Sequence, residues 1–185
     1  MYSFREDVER AGQYHGHLCS GQCIGVKIGR AGLRELGLNN DDPKDRKKIM
    51  VYVECDRCPV DSIGIVTGTR IGKRTLKVKD FGKVAATFVN LETGKAVRVA
   101  RMVRKHPQEG EDMIAFYENL PEEGYLQITP VQMDSPACDM PGPPAEAVTC
   151  AVCGEGVTDS RHVVRDKQTL CKACAGETYY KELTL

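Results

Sequence analysis

Residues 20–36 read SGQCIGVKIGRAGLREL, and this stretch decides the fold. Ile24, Ile28, Ala31 and Leu36 recur at close to the helical period, which predicts a helix. Gly21, Gly25, Gly29 and Gly32 fall at spacings of four, four and three, so they share one face. Each glycine inside a helix costs about 1 kcal/mol against alanine. Four of them on one face predict that another backbone packs very close, and helix packing is preferred to cofactor contact as the reason.

Just upstream, YHGHLCSGQC (14–23) crowds two histidines and two cysteines into ten residues. A polar segment from Phe4 to about Tyr14 precedes it and reads as a short helix. Downstream, KKIMVYVEC (47–55) reads as a buried strand, and CPVDSIGIVTG (58–68) resumes a helical pattern with Pro59 suited to the first turn. TLKVKD (75–80) and KVAATFVNL (83–91) read as strands, and the ETGK turn into AVRVARMV predicts a hairpin over 83–103. PQEGEDMIAFYENL (107–120) reads as a helix and YLQITPVQM (125–133) as a last strand. The expected core is α+β, a mixed sheet of about five strands flanked by helices. Four prolines between Asp134 and Ala147 mark an extended linker. The expected organisation is a core domain at 1–135, a Pro-rich linker at 136–147 and a small four-cysteine zinc-finger domain, of treble-clef or ribbon type, at 148–185.

With 41 % hydrophobic and 28 % charged residues, the 185-residue chain has the balance of a soluble globular protein. Lys plus Arg equals Asp plus Glu at 26 each, which argues against a nucleic-acid binder. No apolar run approaches the roughly 20 residues that span a bilayer, and MYSFREDVERAG lacks the apolar core of a signal peptide. The expectation is a cytoplasmic protein with no membrane or nucleic-acid partner. Nine cysteines, an odd number gathered in four pairs with Cys138 alone, point in a reducing compartment to metal ligands or catalytic thiols rather than to disulfides.

CAVC and CKAC stand 17 residues apart, giving C-x2-C-x17-C-x2-C, the spacing of a four-thiolate zinc site. Cys150, Cys153, Cys171 and Cys174 fill a tetrahedron and leave no open position, so this zinc is structural. Arg161, Arg165, Lys167, Lys172 and Lys181 balance Glu155, Asp159, Asp166, Glu177 and Glu182. A neutral finger fits protein contact better than nucleic-acid reading.

A second constellation lies in the core. His17 and Cys19 sit at the start of the glycine-faced helix, where unpaired N–H groups and the dipole favour a thiolate. Cys58 marks a strand-to-helix junction, with Asp61 one turn later. Two such junctions converge at one rim of a sheet, where open α/β sheets place ligands. His17, Cys19, Cys58 and Asp61 together offer N, S, S and O donors to a second zinc or another divalent metal, with a position left open for catalysis. Local turn chemistry accounts equally well for any single member.

HGHLCSGQCIGVKIG, VECDRCPVDSIGIVTGTRIGKRTLKVKDFGKVAATFVN and TGKAVRV together resemble the FmdE family of formylmethanofuran dehydrogenase subunits over roughly residues 12–100. The resemblance implies an α+β core and a site around the H-x-H-x-C-x-G and D-x-C-x-x-D motifs. Carried over, these are His15, His17, Cys19 and Gly21, then Asp56, Cys58 and Asp61. Cys23 and Cys55 lie outside the family pattern, and Ser20 stands where proline is common. Members also carry C-terminal cysteine fingers, and they associate with a molybdenum or tungsten enzyme that makes or oxidises formylmethanofuran. The resemblance implies an accessory subunit or a metal-dependent enzyme of one-carbon metabolism, with subunits of that dehydrogenase as partners. The chain shows no pterin, iron–sulfur or methanofuran motif of its own.

Two other readings compete. CDRC follows a strand and opens a helix, where a thiol–disulfide pair of Cys55 and Cys58 would act, with Pro130 placed nearby. Alternatively, the finger docks a partner and the chain is a non-catalytic adaptor. GTRIGKRT is no phosphate loop, because Gly68 and Gly72 enclose three residues and Arg74 stands where Ser or Thr would hold magnesium. His106 and His162 read as isolated surface residues, and Cys138 stands apart in the linker. The glycine face and the linker's reach together predict a homodimer.

Overall fold

The computed structural model describes residues 2–144, 146–181 and 183. Met1, Ala145 of the linker range, and Glu182, Thr184 and Leu185 of the finger range lie outside the described residues. The chain forms two compact units, Met1–Asp134 and Ser135–Leu185.

In the first unit, helix α1 (Phe4–His15) starts in a capping box. Ser3 Oγ accepts from Glu6 N and the Glu6 side chain accepts from Ser3 N. Gly16, at φ 92°, ends it. Helix α2 (Ser20–Leu36) is the glycine-faced helix. Strand β1 (Ile49–Val53) leads through helix α3 (Pro59–Thr67, with proline in the first turn) to strand β2 (Leu76–Val78). Strands β3 (Ala85–Asn90) and β4 (Ala96–Arg101) form the expected hairpin. Helix α4 (Met113–Asn119) precedes strand β5 (Leu126–Val131). Helix α4 is shorter than the sequence pattern suggests. Asp112 Oδ1 accepts from Ile114 N and Ala115 N and so sets the start, while Gly110 sits at φ 81° outside it.

The sheet order is β2-β1-β3-β4-β5, with β1 and β2 parallel and the other pairs antiparallel. This is a mixed five-stranded α+β fold, as the patterning predicts. Alternation sorts the strands into two faces. Val51, Val53, Phe88, Val97 and Val99 join the helices in the main core. Met50, Tyr52, Val89 and Ala96 form a smaller cluster on the other face. There Glu54 accepts from both Nε and Nη2 of Arg98, at 2.6 and 2.7 Å.

The glycines of α2 serve contacts inside the chain. A methyl group at Gly25 would lie 2.5 Å from the Pro59 carbonyl oxygen, and one at Gly29 would lie 3.1 Å from Val66 Cγ1. At Gly32 it would meet the Phe88 ring at 2.5 and 2.6 Å. Helix α2 thus lies against α3 and the sheet with no side chain of its own at these points, and the glycine face offers no surface to a second copy. The expectation of a homodimer loses that ground.

The second unit begins with a turn of 3-10 helix at Ala137–Asp139. Two short hairpins follow, β6 (Ala147–Thr149) with β7 (Gly156–Thr158) and β8 (Val163–Arg165) with β9 (Gln168–Leu170). Among the described residues, no helix is long and apolar enough to cross a membrane.

Replacing Gly25 by alanine should destabilise the first unit by about 1–3 kcal/mol, because the added methyl meets backbone that cannot yield. Gly72→Ala, at a position open to 4 Å, should be close to neutral. Urea unfolding of the two variants side by side measures the difference, and equal midpoints would contradict the seam.

Candidate functional site

The contact between α2 and α3 decides which side chains meet. A methyl at Gly21 would sit 2.7 Å from Cys58 Cβ, 3.4 Å from Cys19 Sγ and 3.5 Å from Cys58 Sγ, so both sulfurs flank the bare Cα. Cys19 is the N-cap of α2 but makes no side-chain capping bond, and its sulfur is left for other work. Cys58 sits at the N-cap of α3, beyond the end of β1. Burial first, and then the neighbouring Cys19, push the Cys58 thiol above its ordinary pKa.

The loop between α1 and α2 and the residue just before it supply the histidines. His15 and His17 pack with ring centroids 4.7 Å apart. Ligand atoms of His15, His17 and Cys19 all lie within 4.8 Å of one another. Asp61, in the first turn of α3, holds His15 Nδ1 through Oδ2 at 2.7 Å. That bond commits one ring nitrogen and leaves Nε2 to face elsewhere. A carboxylate behind a histidine in this way is the usual support of a metal-ligating imidazole.

The structure therefore brings His17, Cys19, Cys58 and Asp61 into one neighbourhood, together with His15. Asp61 enters it as the partner of His15. Asp56 is exposed, with Oδ1 3.8 Å from Arg57 Nε. Cys55 is buried at the end of β1, and burial raises its pKa. Neither sulfur of CDRC has the depressed pKa of a reactive redox pair. Pro130 pairs with Val97 on the far edge strand. It is three strand spacings, roughly 14 Å, from β1, so the expectation that it lies near CDRC fails.

Sequence reading missed Gln22. It is fully buried in the first turn of α2, and its Nε2 donates to the Cys58 carbonyl at 3.2 Å. Its Oε1 has no hydrogen-bond partner among the described residues. The only sequence signal was an amide on a helix face otherwise made of glycine and apolar residues. His106 is exposed, whereas His162 is half-buried with Nδ1 3.9 Å from Glu146 Oε2, and so is not the surface residue expected.

The second unit holds the four-thiol cluster. Cys150 and Cys153 lie in the turn between β6 and β7, and Cys171 and Cys174 follow β9. Their sulfurs all fall within 4.8 Å of one another, with Cys153 and Cys171 3.8 Å apart. Backbone N–H groups of Cys153, Cys171 and Val152 point at Cys150 and bring its thiol down to about 6. Cys174, hydrogen-bonded to Cys171 beside it, is pushed up to about 12. Four thiols this close cannot all ionise alone. A dication removes that conflict, which is why such clusters bind zinc and fold with it.

The fold and the two donor clusters define a small α+β domain with a candidate site at the helix starts, followed by a four-cysteine finger. The family model described as "FmdE, Molybdenum formylmethanofuran dehydrogenase operon" matches residues 14–124. This is more than half of the chain, which belongs to the FmdE family. The model of the prokaryotic dksA/traR C4-type zinc finger matches residues 146–180. A probable S-adenosyl-L-methionine-binding protein of Archaeoglobus fulgidus is 27 % identical over 204 residues, covering 92 % of this chain. The alignment covers 52 % of that protein, so the chain spans about half the length of this curated relative. The crystal structure of a tungsten formylmethanofuran dehydrogenase FmdE-like protein from Syntrophus aciditrophicus superposes with a TM-score of 0.66 at 22 % identity. It covers 97 % of this chain and 96 % of that one, so the likeness in fold takes in nearly all of the chain.

Chelation of the purified chain should release one zinc from the finger and expose the amides of 146–180 to hydrogen exchange. Cys171→Ser should do the same without chelator. If exchange over 146–180 is unchanged after the metal has left, the cluster is not what holds the finger together.

Proposed function

We propose that the core domain is a metal-binding centre in which His15, His17, Cys19 and Cys58 hold a second zinc or another divalent cation. The observation that supports this reading is the convergence of the His15, His17 and Cys19 ligand atoms within 4.8 Å, partly open to solvent, with the Cys58 sulfur beside that of Cys19 where both flank Gly21. Two imidazoles and two thiols form a borderline donor set that suits zinc. Asp61 acts as the positioning residue that fixes the His15 ring, and Gln22 holds the Cys58 carbonyl. Burial and the neighbouring Cys19 favour the protonated Cys58 thiol, so uptake of metal there releases that proton. With His15, His17 and Cys19 as the grouped donors and Cys58 outside that group, the cation would supply Lewis acidity where the Cys58 position is given up to water or substrate.

In this reading the chain is an accessory subunit, or a metal-dependent enzyme, of one-carbon metabolism of the formylmethanofuran type. Subunits of a molybdenum or tungsten formylmethanofuran dehydrogenase are its partners. Family membership supports this assignment. A cytoplasmic location is part of the same proposal. The proposed homodimer now rests on the linker's reach alone, and light scattering at micromolar concentration should give twice the chain mass. A monomer removes it.

The double variant His17→Ala with Cys58→Ser tests the centre in the full chain. The wild type should carry two metal equivalents after reconstitution, and the variant should keep only the finger's one while remaining folded by circular dichroism. Stoichiometric uptake of a second equivalent by the variant would show that these residues are not ligands. Unfolding would show that they serve the fold instead.

A further inference from the structure

Away from the metal centre, a cleft of about 390 Å³ opens between α1, α2 and α4, lined by Phe4, Lys27, Arg30, Arg34, Glu118 and Glu122. Its volume lies within the roughly 300–1,000 Å³ typical of small-molecule sites. Lys27 is the unusual member. It is 7 % exposed, and its Nζ donates to the Tyr117 carbonyl at 3.0 Å. Among the described residues, no carboxylate lies within 4.0 Å of that ammonium. An ammonium has three protons to place, and the Tyr117 carbonyl, in the last turn of α4, explains one of them. Burying a cation without an acid in direct contact is costly, and burial pushes the Lys27 pKa down, with Glu122 and Glu118 offsetting it only in part through space.

The other cations of the cleft are already matched. Arg30 Nη1 donates to Asp7 Oδ2 at 2.7 Å and to the Tyr2 carbonyl at 2.9 Å. Arg34 is paired with Glu122 at 2.8 Å. Among the described residues, the Lys27 ammonium is left as the one cation in the wall with no acid of its own. The Phe4 ring stands 5.8 Å from Nζ and offers an apolar wall beside it. Glu118 and Glu122 stand against any ligand with a second negative charge.

We propose that this cleft binds a small organic monocarboxylate with an apolar tail, the carboxylate on Lys27 Nζ and the tail along Phe4. The ligand's single charge supplies the direct acid contact that neither glutamate makes with Lys27. Its tail covers the ring that α1 places over the cleft. The two glutamates select against phosphate and dicarboxylates. None of this depends on the metal centre, and it stands whether or not that centre binds a cation.

Calorimetric titration of the full chain with hexanoate, acetate, hexylamine and inorganic phosphate tests the proposal. Hexanoate should bind saturably and more tightly than acetate, and neither hexylamine nor phosphate should match it. Lys27→Met should weaken hexanoate by roughly tenfold or more, the worth of a charge-assisted hydrogen bond, with thermal unfolding confirming that the variant is folded. Should the variant not fold, the acetate-to-hexanoate series on the wild type decides alone. No saturable uptake, a flat series, equal binding of phosphate or hexylamine, or full affinity in folded Lys27→Met would overturn the assignment.

Discussion

Helices α2 and α3 meet where glycine Cα atoms stand in place of side chains, and the candidate centre takes its geometry from that contact. At Gly21 the missing side chain leaves room for two sulfurs, and at Gly25 for the carbonyl of Pro59. A helix gives up several times about 1 kcal/mol to carry so many glycines. Close packing of the two helices and of the Phe88 ring beneath them offsets that loss. Lengthening Gly21, Gly25 or Gly29 by one carbon pushes α3 outward, and Cys58 and Asp61 move with it. Stability and site geometry are therefore set by the same few atoms.

The two donor clusters follow different designs. The finger closes on four thiols drawn from two turns, a cluster with no other kind of ligand among the described residues. The core cluster mixes imidazole and thiol, and its members come from segments as far apart as His15 and Asp61, 46 positions along the chain. Closed, uniform sets stabilise small folds that have little core of their own. Mixed sets carried on helix starts, with a carboxylate steering one ligand, are suited to exchange.

Much of this was legible in the residues. The glycine spacing announced a close helix contact, and alternation in 83–103 announced a hairpin, because both are local patterns with one physical solution. The finger was legible because C-x2-C turns have few other uses. The Asp61–His15 bond was not, since its two ends meet only through tertiary packing. For the same reason Asp61 read as a donor to metal when it faces an imidazole. Gln22 was hidden because a polar residue on a helix normally points to water, and this one is turned inward onto the Cys58 carbonyl. The short α4 escaped because Asp112, one acid among several in PQEGED, is the one that caps.

The distance along the chain between the members of each cluster also sets when each one comes into being. The finger's sulfurs meet by closing a short loop, a step that costs little chain entropy and needs no other part of the protein. The core cluster exists only once α2 and α3 have docked across an intervening strand, a non-local event that belongs late in the folding of its domain. A ligand for the finger thus meets a flexible peptide able to wrap around it, whereas a ligand for the core meets a finished surface. The first kind of binding is part of folding, and the second reads out its completion.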